Sequence, residues 1–243
     1  MTKKKKRRKL KLKRFFLTMV LLGLLFSVGF LIATMPVKNI YVKGNNYVSE
    51  DEIISASGID LESSFLLINS KNIIKKIKKN EFIKKVKIYK KIGNKLILSV
   101  NEYKILCLDN DNNLVLENGK VLENKYNLTD IPVMINIIDN KDVKKNFLKK
   151  FSLINSNILR QISQIEYSPV DVDADRFILY MDDGNEVIIT LTKIQKLNKY
   201  NNIVEKMDGN FGIIYLDSGN YIELKEKIQK IEPNNNSNLN NEE

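Results

Sequence analysis

Three acidic clusters and one thiol are the residues whose types and spacing invite chemistry. Asp109-x-Asp111-x-Asn113 has the opening spacing of a calcium-binding EF-hand loop. The sixth position, where the sharp turn needs Gly, is Leu114, and the twelfth, where a bidentate Glu closes the cage, is Lys120. The cluster therefore reads as a polar turn. Asp171, Asp173 and Asp175 alternate along Val170–Asp175. On a strand they share one face, where like charges repel unless solvated or bound to a cation, and they are expected on an exposed strand face. Asp182 and Asp183 precede Gly184-Asn185 and read as turn residues rather than an acid/base pair. Cys107 sits in the apolar run Ile105–Leu108, so it is expected to be a buried small hydrophobe. The sequence contains no His, which removes His-based triads and imidazole metal sites, and a single Cys leaves no internal disulfide. No Gly-rich phosphate loop, nucleophile elbow or dinucleotide fingerprint is present. Asn127-Leu128-Thr129 matches a glycosylation sequon. No catalytic, cofactor-binding or metal-ligating residue is expected, and no cofactor or small-molecule substrate.

The charge is equally uneven. The 243 residues carry 40 Lys+Arg against 29 Asp+Glu, a formal net charge of +11, and ten of the bases fall in the first fourteen residues with no acid among them. The remainder is close to neutral, so the basic character belongs to a tail and not to a nucleic-acid-binding domain. Directly after that tail, Phe15 to Met35 is an uncharged apolar run, at about 1.5 Å per residue long enough to span the roughly 30 Å hydrocarbon core of a bilayer. A cleavable signal peptide would carry a shorter apolar region ending in a small-x-small site, which Leu31-Ile32-Ala33-Thr34-Met35 does not offer. The expectation is an uncleaved anchor with the basic N-terminus in the cytoplasm and everything after Pro36 outside it.

The elements beyond the anchor follow from periodicity. Val37–Lys43 alternates as a short strand, and Ser49-Glu50-Asp51-Glu52 is a capping box opening a helix with Ile53, Ile54 and Ala56 inward and Gly58 as its cap. Ser70 is expected to cap a second helix with Ile73, Ile74 and Ile77 on one face and lysines on the other. Val86 and Ile88, then Leu96, Leu98 and Val100, flank the turn Gly93-Asn94 as a hairpin. From Tyr103 on, short strands and turns take over. Ile158, Leu159, Ile162 and Ile165 have helical spacing, as do Ile194, Leu197, Tyr200 and Val204. Asp182–Asn185 and Asp217–Asn220 each turn a hairpin, and after Pro233 the composition is polar and expected to be disordered. The lysines of Lys75–Lys91, with Lys38 and Lys43, read as solvated faces of these elements, or as a basic face toward acidic lipid or wall polymer.

In this order the residues resemble the FtsQ/DivIB family of bacterial division proteins: a basic tail, one anchor, VKNIYVKGNNYVSEDEIISASGI, the run Phe65–Ile68, a Lys-rich helix, and Asn80-Glu81-Phe82-Ile83 before a strand pair. Ile131-Pro132-Val133, Asp183-Gly184 and Gly212–Gly219 resemble the family's second half, with Asn136 near where a Gly is usual, Glu81 in place of a Pro and Tyr215 in place of an Arg. The resemblance implies an α+β fold: a single N-terminal transmembrane helix, a POTRA domain (β-α-α-β-β), then a mixed α/β domain with antiparallel hairpins. The corresponding division is 1–14 basic tail, 15–35 transmembrane helix, 36–103 POTRA domain, 104–228 C-terminal β-rich domain and 229–243 polar tail.

What the resemblance implies about activity is a non-catalytic scaffold of the divisome at the septum, single-pass in the cell membrane, binding FtsL- and DivIC/FtsB-like partners. The physical route would be a partner strand adding to an open sheet edge. The last hairpin is the expected edge, since a polar tail follows it. The family's partner contact maps to Leu216, Ser218 and Gly219, and geometry adds Tyr221 and Ile222. Three alternatives share parts of this pattern. A POTRA-containing transport component expects a cleaved signal and a long run of barrel strands; a membrane-anchored wall enzyme expects a singled-out carboxylate pair; a membrane-anchored extracytoplasmic sensor shares the whole architecture.

Overall fold

The computed structural model describes residues 12–225 and divides between Tyr103 and Lys104 into two compact units. The expected basic tail, apart from Leu12–Arg14, and the expected polar tail at 229–243 lie outside the described residues. The apolar segment forms α1, Leu12–Ala33, one helix long and apolar enough to cross a membrane, with none of its residues buried in the protein. It starts three residues before the uncharged run and stops two residues short of Met35. Pro36 is the reason it stops, because its ring pushes the preceding residue out of the helical region. Thr34 N and Oγ1 both donate to Phe30 O at 3.0 Å and close the last turn.

The first unit continues with β1 (Asn39–Lys43), α2 (Glu50–Ser57), α3 (Ser70–Ile77), β2 (Ile83–Lys91) and β3 (Lys95–Glu102), the expected strand–helix–helix–strand–strand order. The strands form a sheet β1-β3-β2, with β1 parallel and β2 antiparallel to β3. Leu96, Leu98 and Val100, two residues apart on β3, are buried with Val42, Val86, Ile53, Ile73 and Ile77. The Ser49 side chain accepts from Glu52 N at 3.1 Å, and Gly58 closes α2 at φ 65°. The start of α3 differs from expectation. Asn69, not Ser70, is the cap, its Oδ1 accepting from Lys71 N and Asn72 N, and Ser70 is already the first helical residue.

The second unit contains β4 (Ile105–Leu108), β5 (Leu114–Leu116), β6 (Val121–Leu122), β7 (Val133–Met134), α4 (Lys141–Phe151), α5 (Ser156–Leu159), β8 (Ile162–Tyr167), β9 (Arg176–Met181), β10 (Glu186–Thr190), a 3₁₀ helix (Leu191–Lys199), α6 (Tyr200–Glu205), β11 (Gly212–Tyr215) and β12 (Tyr221–Leu224). Among the described residues these strands make one nine-stranded sheet in the order β12-β11-β10-β9-β8-β7-β4-β5-β6. Phe147, Phe151 and Phe177 stack at the centre of its core, with ring centroids 4.2–5.9 Å apart. Lys104 Nζ donates to the carbonyls of Ser152 and Ile154 just beyond α4, and burial lowers its pKa.

Three expected elements take another form. Ile162 and Ile165 lie on β8, not on a helix, because a register shift between Ile162 and Gln164 lets an i, i+3 pair share one face of a strand. The helix expected from Ile194, Leu197, Tyr200 and Val204 forms in two pieces: Leu191, Ile194 and Leu197 are buried at a spacing of three, which fits the three residues per turn of the 3₁₀ helix, and Tyr200 and Val204 lie on α6. Val170–Asp175 is a turn with one isolated bridge, Val170 to Asp173, so the three aspartates do not share a strand face.

The far end of the first unit's sheet is held by a single carboxylate. Glu102 accepts from the backbone N–H groups of Asn46, Tyr47 and Val48 at 3.1, 2.8 and 3.0 Å. Glu102→Ala strands three donors and should destabilise this unit by about 1–3 kcal/mol, with Glu102→Gln losing less. Hydrogen exchange at those three amides in the intact chain checks both.

Candidate partner-binding edge

The terminal hairpin is built from alternation. β11 and β12 pair antiparallel with Gly212 opposite Leu224, Ile213 opposite Glu223, Ile214 opposite Ile222 and Tyr215 opposite Tyr221. Lys225 N donates to Phe211 O at 2.9 Å, which marks that pair as hydrogen-bonded. Such pairs recur at every second residue, so Glu223 and Tyr221 also turn their backbone groups toward β11. Ile222 and Leu224 turn theirs the other way. Gly212 N donates to Asn185 Oδ1 at 2.8 Å and Leu216 N to Ile188 O at 2.8 Å, so the complementary residues of β11 face β10. β12 ends the sheet, and among the described residues no strand pairs with its outer side. The outward N–H and C=O groups of Ile222 and Leu224 form a ready template for another chain.

The connecting turn is held from beneath by cations of neighbouring elements. Arg176 Nε lies 3.4 Å from Asp217 Oδ2, Lys193 Nζ donates to Asp217 O, and Lys196 Nζ donates to Asn220 Oδ1 at 2.9 Å. Tyr215 and Tyr221 stack at 4.3 Å with their planes 12° apart. The Tyr215 hydroxyl donates to Glu223 Oε2 at 3.0 Å, a bond that raises the phenol's pKa. Lys225 Nζ pairs with Glu186 Oε1 at 2.6 Å.

Four of the five residues singled out from sequence reach the surface of this hairpin. Ser218 is exposed and Gly219 half-buried in the turn, while Tyr221 and Ile222 are 52% and 38% exposed. Leu216, 3% exposed, is part of the core instead, its side chain on the same face as Ile214. Leu224 was missing from that set although it repeats the outward alternation of Ile222.

Behind the edge lies a polar network in which Tyr200 and Asn185 are buried and Asp183 is exposed. The Tyr200 hydroxyl donates to both oxygens of Asp183 at 2.7 and 2.8 Å. Asn185 Nδ2 donates to the Tyr200 oxygen at 3.0 Å, and Asn185 Oδ1 receives Gly212 N. Burial, and then the Asp183 hydrogen bond, hold the Tyr200 phenol far above its usual pKa. The Asp-Gly turn is visible in sequence; its link to a tyrosine 17 residues away is not.

Two of the other sequence candidates, Asp109 and Asp173, are engaged by groups of their own unit. Asp109 Oδ1 accepts from Asp111 N and Asn113 N at 3.0 and 2.8 Å, and Asp173 Oδ1 from Asp175 N and Thr190 Oγ1. Asp175 is raised in pKa by burial and by the neighbouring Asp173. Cys107 is buried, and burial pushes its thiol up to about 12. The edge strand β2 gives an instructive contrast: it carries Lys84, Lys85, Lys87, Lys90 and Lys91, the charges that discourage edge pairing, whereas β12 carries no Lys and a single charge, Glu223, which accepts from the Tyr215 hydroxyl.

Comparison with known proteins matches two family models along the chain. The POTRA domain, FtsQ-type, covers residues 35–103, and the FtsQ/DivIB cell division protein C-terminal model covers residues 106–231. Cell division protein DivIB of Bacillus subtilis (strain 168) is 31% identical over 229 residues, 90% of this chain and 87% of that protein. DivIB of Geobacillus kaustophilus is 30% identical over 230 residues, 90% and 88% of the two chains. A solved structure of the major extracytoplasmic domain of the trans isomer of DivIB from Geobacillus stearothermophilus matches with a TM-score of 0.36 and 26% identity, covering 44% of this chain and 96% of that one.

Two outcomes follow from the geometry. A Cβ on Gly212 would overlap the Glu223 carbonyl and lie 2.9 Å from Leu224 Cα. Gly212→Ala should therefore unzip β12 from β11, seen as faster amide exchange at Tyr221 and Glu223 with Leu179 and Val187 unchanged. The Cys107 thiol, raised from 9.0, should resist maleimide at pH 8 in the folded chain and react once denatured. Because the folded pKa is the higher one, this site favours folding below pH 9.0, and that contribution is lost as pH climbs toward about 12.

Proposed function

The chain belongs to the FtsQ/DivIB family of bacterial cell division proteins, and from that premise we propose that it acts without catalysis, as a single-pass scaffold that binds FtsL- and DivIC/FtsB-like partners at the forming septum. The observation that carries this reading is the unpaired outer side of β12, where Ile222 and Leu224 offer backbone donors and acceptors. A partner strand laid there gains main-chain hydrogen bonds, and the alternating side chains set its register. Ile222 and Leu224 share one face with Ile214, so the partner's apolar residues continue the core side of the sheet, while Tyr221 and Glu223 present a polar and aromatic face on the other side. Ser218 and Gly219 lie in the turn that precedes the strand, beside the end of the template.

Orientation follows from charge. Lys13 and Arg14 open α1 and join a basic run that favours retention in the cytoplasm, which argues for the part of the chain after Pro36 lying outside the cell. Both partner classes are themselves small bitopic proteins in the family reading, so the edge meets them on the side of the membrane where their extracytoplasmic segments lie.

Ile222→Pro removes one outward donor without touching a hydrogen bond of the sheet. It should weaken binding to a DivIC/FtsB-type partner by about tenfold or more, the equivalent of about 1.4 kcal/mol, while Ile222→Ala, which keeps the donor, loses less. Titration of the purified full-length chain in detergent with each partner, alongside thermal melts, decides the matter: unchanged affinity in a folded Pro variant refutes strand addition. A fluorescent fusion concentrated at midcell supports the scaffold reading, and an even distribution around the membrane supports the sensor alternative.

A further inference from the structure

Apart from α1, five exposed apolar side chains of the first unit gather where the chain leaves that helix: Met35, Leu61, Leu66, Leu67 and Ile92. Only Tyr41 and Tyr89 lie elsewhere among the described residues of this unit. Hydrogen bonds fix the gathering. Phe65 N donates to Met35 O at 2.9 Å, Val37 N to Ser63 O at 3.0 Å, and Ser64 Oγ to Ala33 O. From the other side, the turn between β2 and β3 reaches the same stretch: Asn94 Nδ2 donates to Pro36 O at 2.9 Å, and Lys38 N donates to Asn94 O at 3.0 Å. Two loops thus straddle the end of the helix.

Their depth follows from length. Phe15 to Ala33 rises about 28 Å at 1.5 Å per residue, close to the roughly 30 Å of a bilayer's hydrocarbon core. Ala33 then lies at the boundary, and Met35 to Lys38 at headgroup level. Leu66 and Leu67 follow Phe65 directly, within about 7 Å of chain from the residue bonded to Met35. They are 49% and 70% exposed, and Ile92, at the tip of the other loop, is 99% exposed. Water is a poor solvent for three such side chains. The acyl boundary is a good one.

The polar surroundings match. Lys90 Nζ donates to Leu66 O and Ile68 O at 3.0 and 3.3 Å and sits 5.7 Å from the Phe65 ring centroid, which fixes the backbone that carries the two leucines. Lys91 and Lys95 flank the Ile92 turn and Lys38 follows Val37, placing ammonium groups where lipid phosphates lie. Asp60 and Glu62 flank Leu61, which puts that residue at the rim; Asp60 is engaged by Ser63 Oγ at 2.8 Å.

We propose that these two loops insert into the leaflet at the C-terminal end of α1, with Leu66, Leu67 and Ile92 at the headgroup–acyl boundary and Lys38, Lys91 and Lys95 at the phosphates. The inference rests on α1 spanning the membrane and deepens that reading: the first unit is seated on lipid at three points instead of swinging from a single strand of chain. The occupant is the bilayer itself, because the patch is continuous with the membrane helix through the hydrogen bonds above.

The test uses the full chain in phosphatidylglycerol-containing vesicles, with single cysteines at Leu66→Cys, Leu67→Cys and Ile92→Cys carrying an environment-sensitive fluorophore; buried Cys107 stays unlabelled. Asn101→Cys, on β3 about 20 Å from the turn at 3.3 Å per residue, is the distal reference, and Phe26→Cys reports the helix. Vesicle binding should blue-shift the labels at 66, 67 and 92, and lipids bearing a nitroxide near the headgroup should quench them, with the label at 101 unaffected by either. Labels at 66, 67 and 92 that behave like the one at 101, while position 26 is quenched by chain-centre nitroxides, overturn the insertion alone. An unquenched label at 26 overturns the spanning helix and the insertion with it.

Discussion

An antiparallel strand gives its neighbour the backbone groups of every other residue; at the end of a sheet the remaining half must go to solvent or to another chain. In β12 that half belongs to Ile222 and Leu224, and the register of the strand depends on the pairing behind it. The parallel pairing of β10 with β11 covers only Glu186–Ile188 against Ile213–Tyr215. One step earlier, Asn185 replaces a backbone acceptor, taking Gly212 N while Tyr200 and Asp183 fix its amide. Without Asn185 the Gly212 donor would be buried and unpaired, at a cost of about 1–3 kcal/mol. The edge is thus only as well placed as a buried side-chain network allows.

Much of the first unit was legible in sequence because its signals are local. Ser49 three residues before Glu52, Gly58 after a short apolar pattern, and Gly93-Asn94 between two alternating runs each specify a conformation over four to eight residues, and the structure contains all three. The order of those signals also carried the family resemblance, which the comparisons bear out. Periodicity misled where one spacing serves two conformations. Ile162 and Ile165 are an i, i+3 pair on a bulged strand, and of the expected helix Ile194 and Leu197 lie on a 3₁₀ helix while Tyr200 and Val204 continue as α6. The alternation of Asp171, Asp173 and Asp175 has no apolar partner set, so nothing drives it into a sheet, and it closes as a turn around the Asp173 carboxylate.

The sheet order of the second unit was out of reach for a different reason. β7 is only Val133–Met134, yet it lies between β4 and β8 and joins two parts of the sheet that are distant in sequence. Two residues carry no periodicity. What extends the strand is Asn136, whose amide donates to Tyr167 O at 2.6 Å and accepts from Tyr167 N at 2.7 Å, the bonding pattern of a peptide unit made by a side chain. This is the position near which the family resemblance leads one to expect Gly, and the amide fills the ladder that a bare backbone would otherwise complete.

The same substitution of side chain for backbone explains why residues that invite chemistry by type are poorly set up for it. Glu102, Asp109, Asp173 and Asp183 each accept two or more hydrogen bonds from groups of their own unit, most of them backbone N–H. Protonating a carboxylate so engaged weakens the hydrogen bonds it accepts, and each bond lost leaves a donor to be resolvated. Groups that are satisfied internally stabilise the fold and recognise nothing. The groups left over are of another kind, main-chain donors and acceptors along β12 and bare apolar side chains around the foot of α1. Both are suited to being covered, one by an added strand and the other by lipid, and this is the physical basis of the scaffold role proposed above.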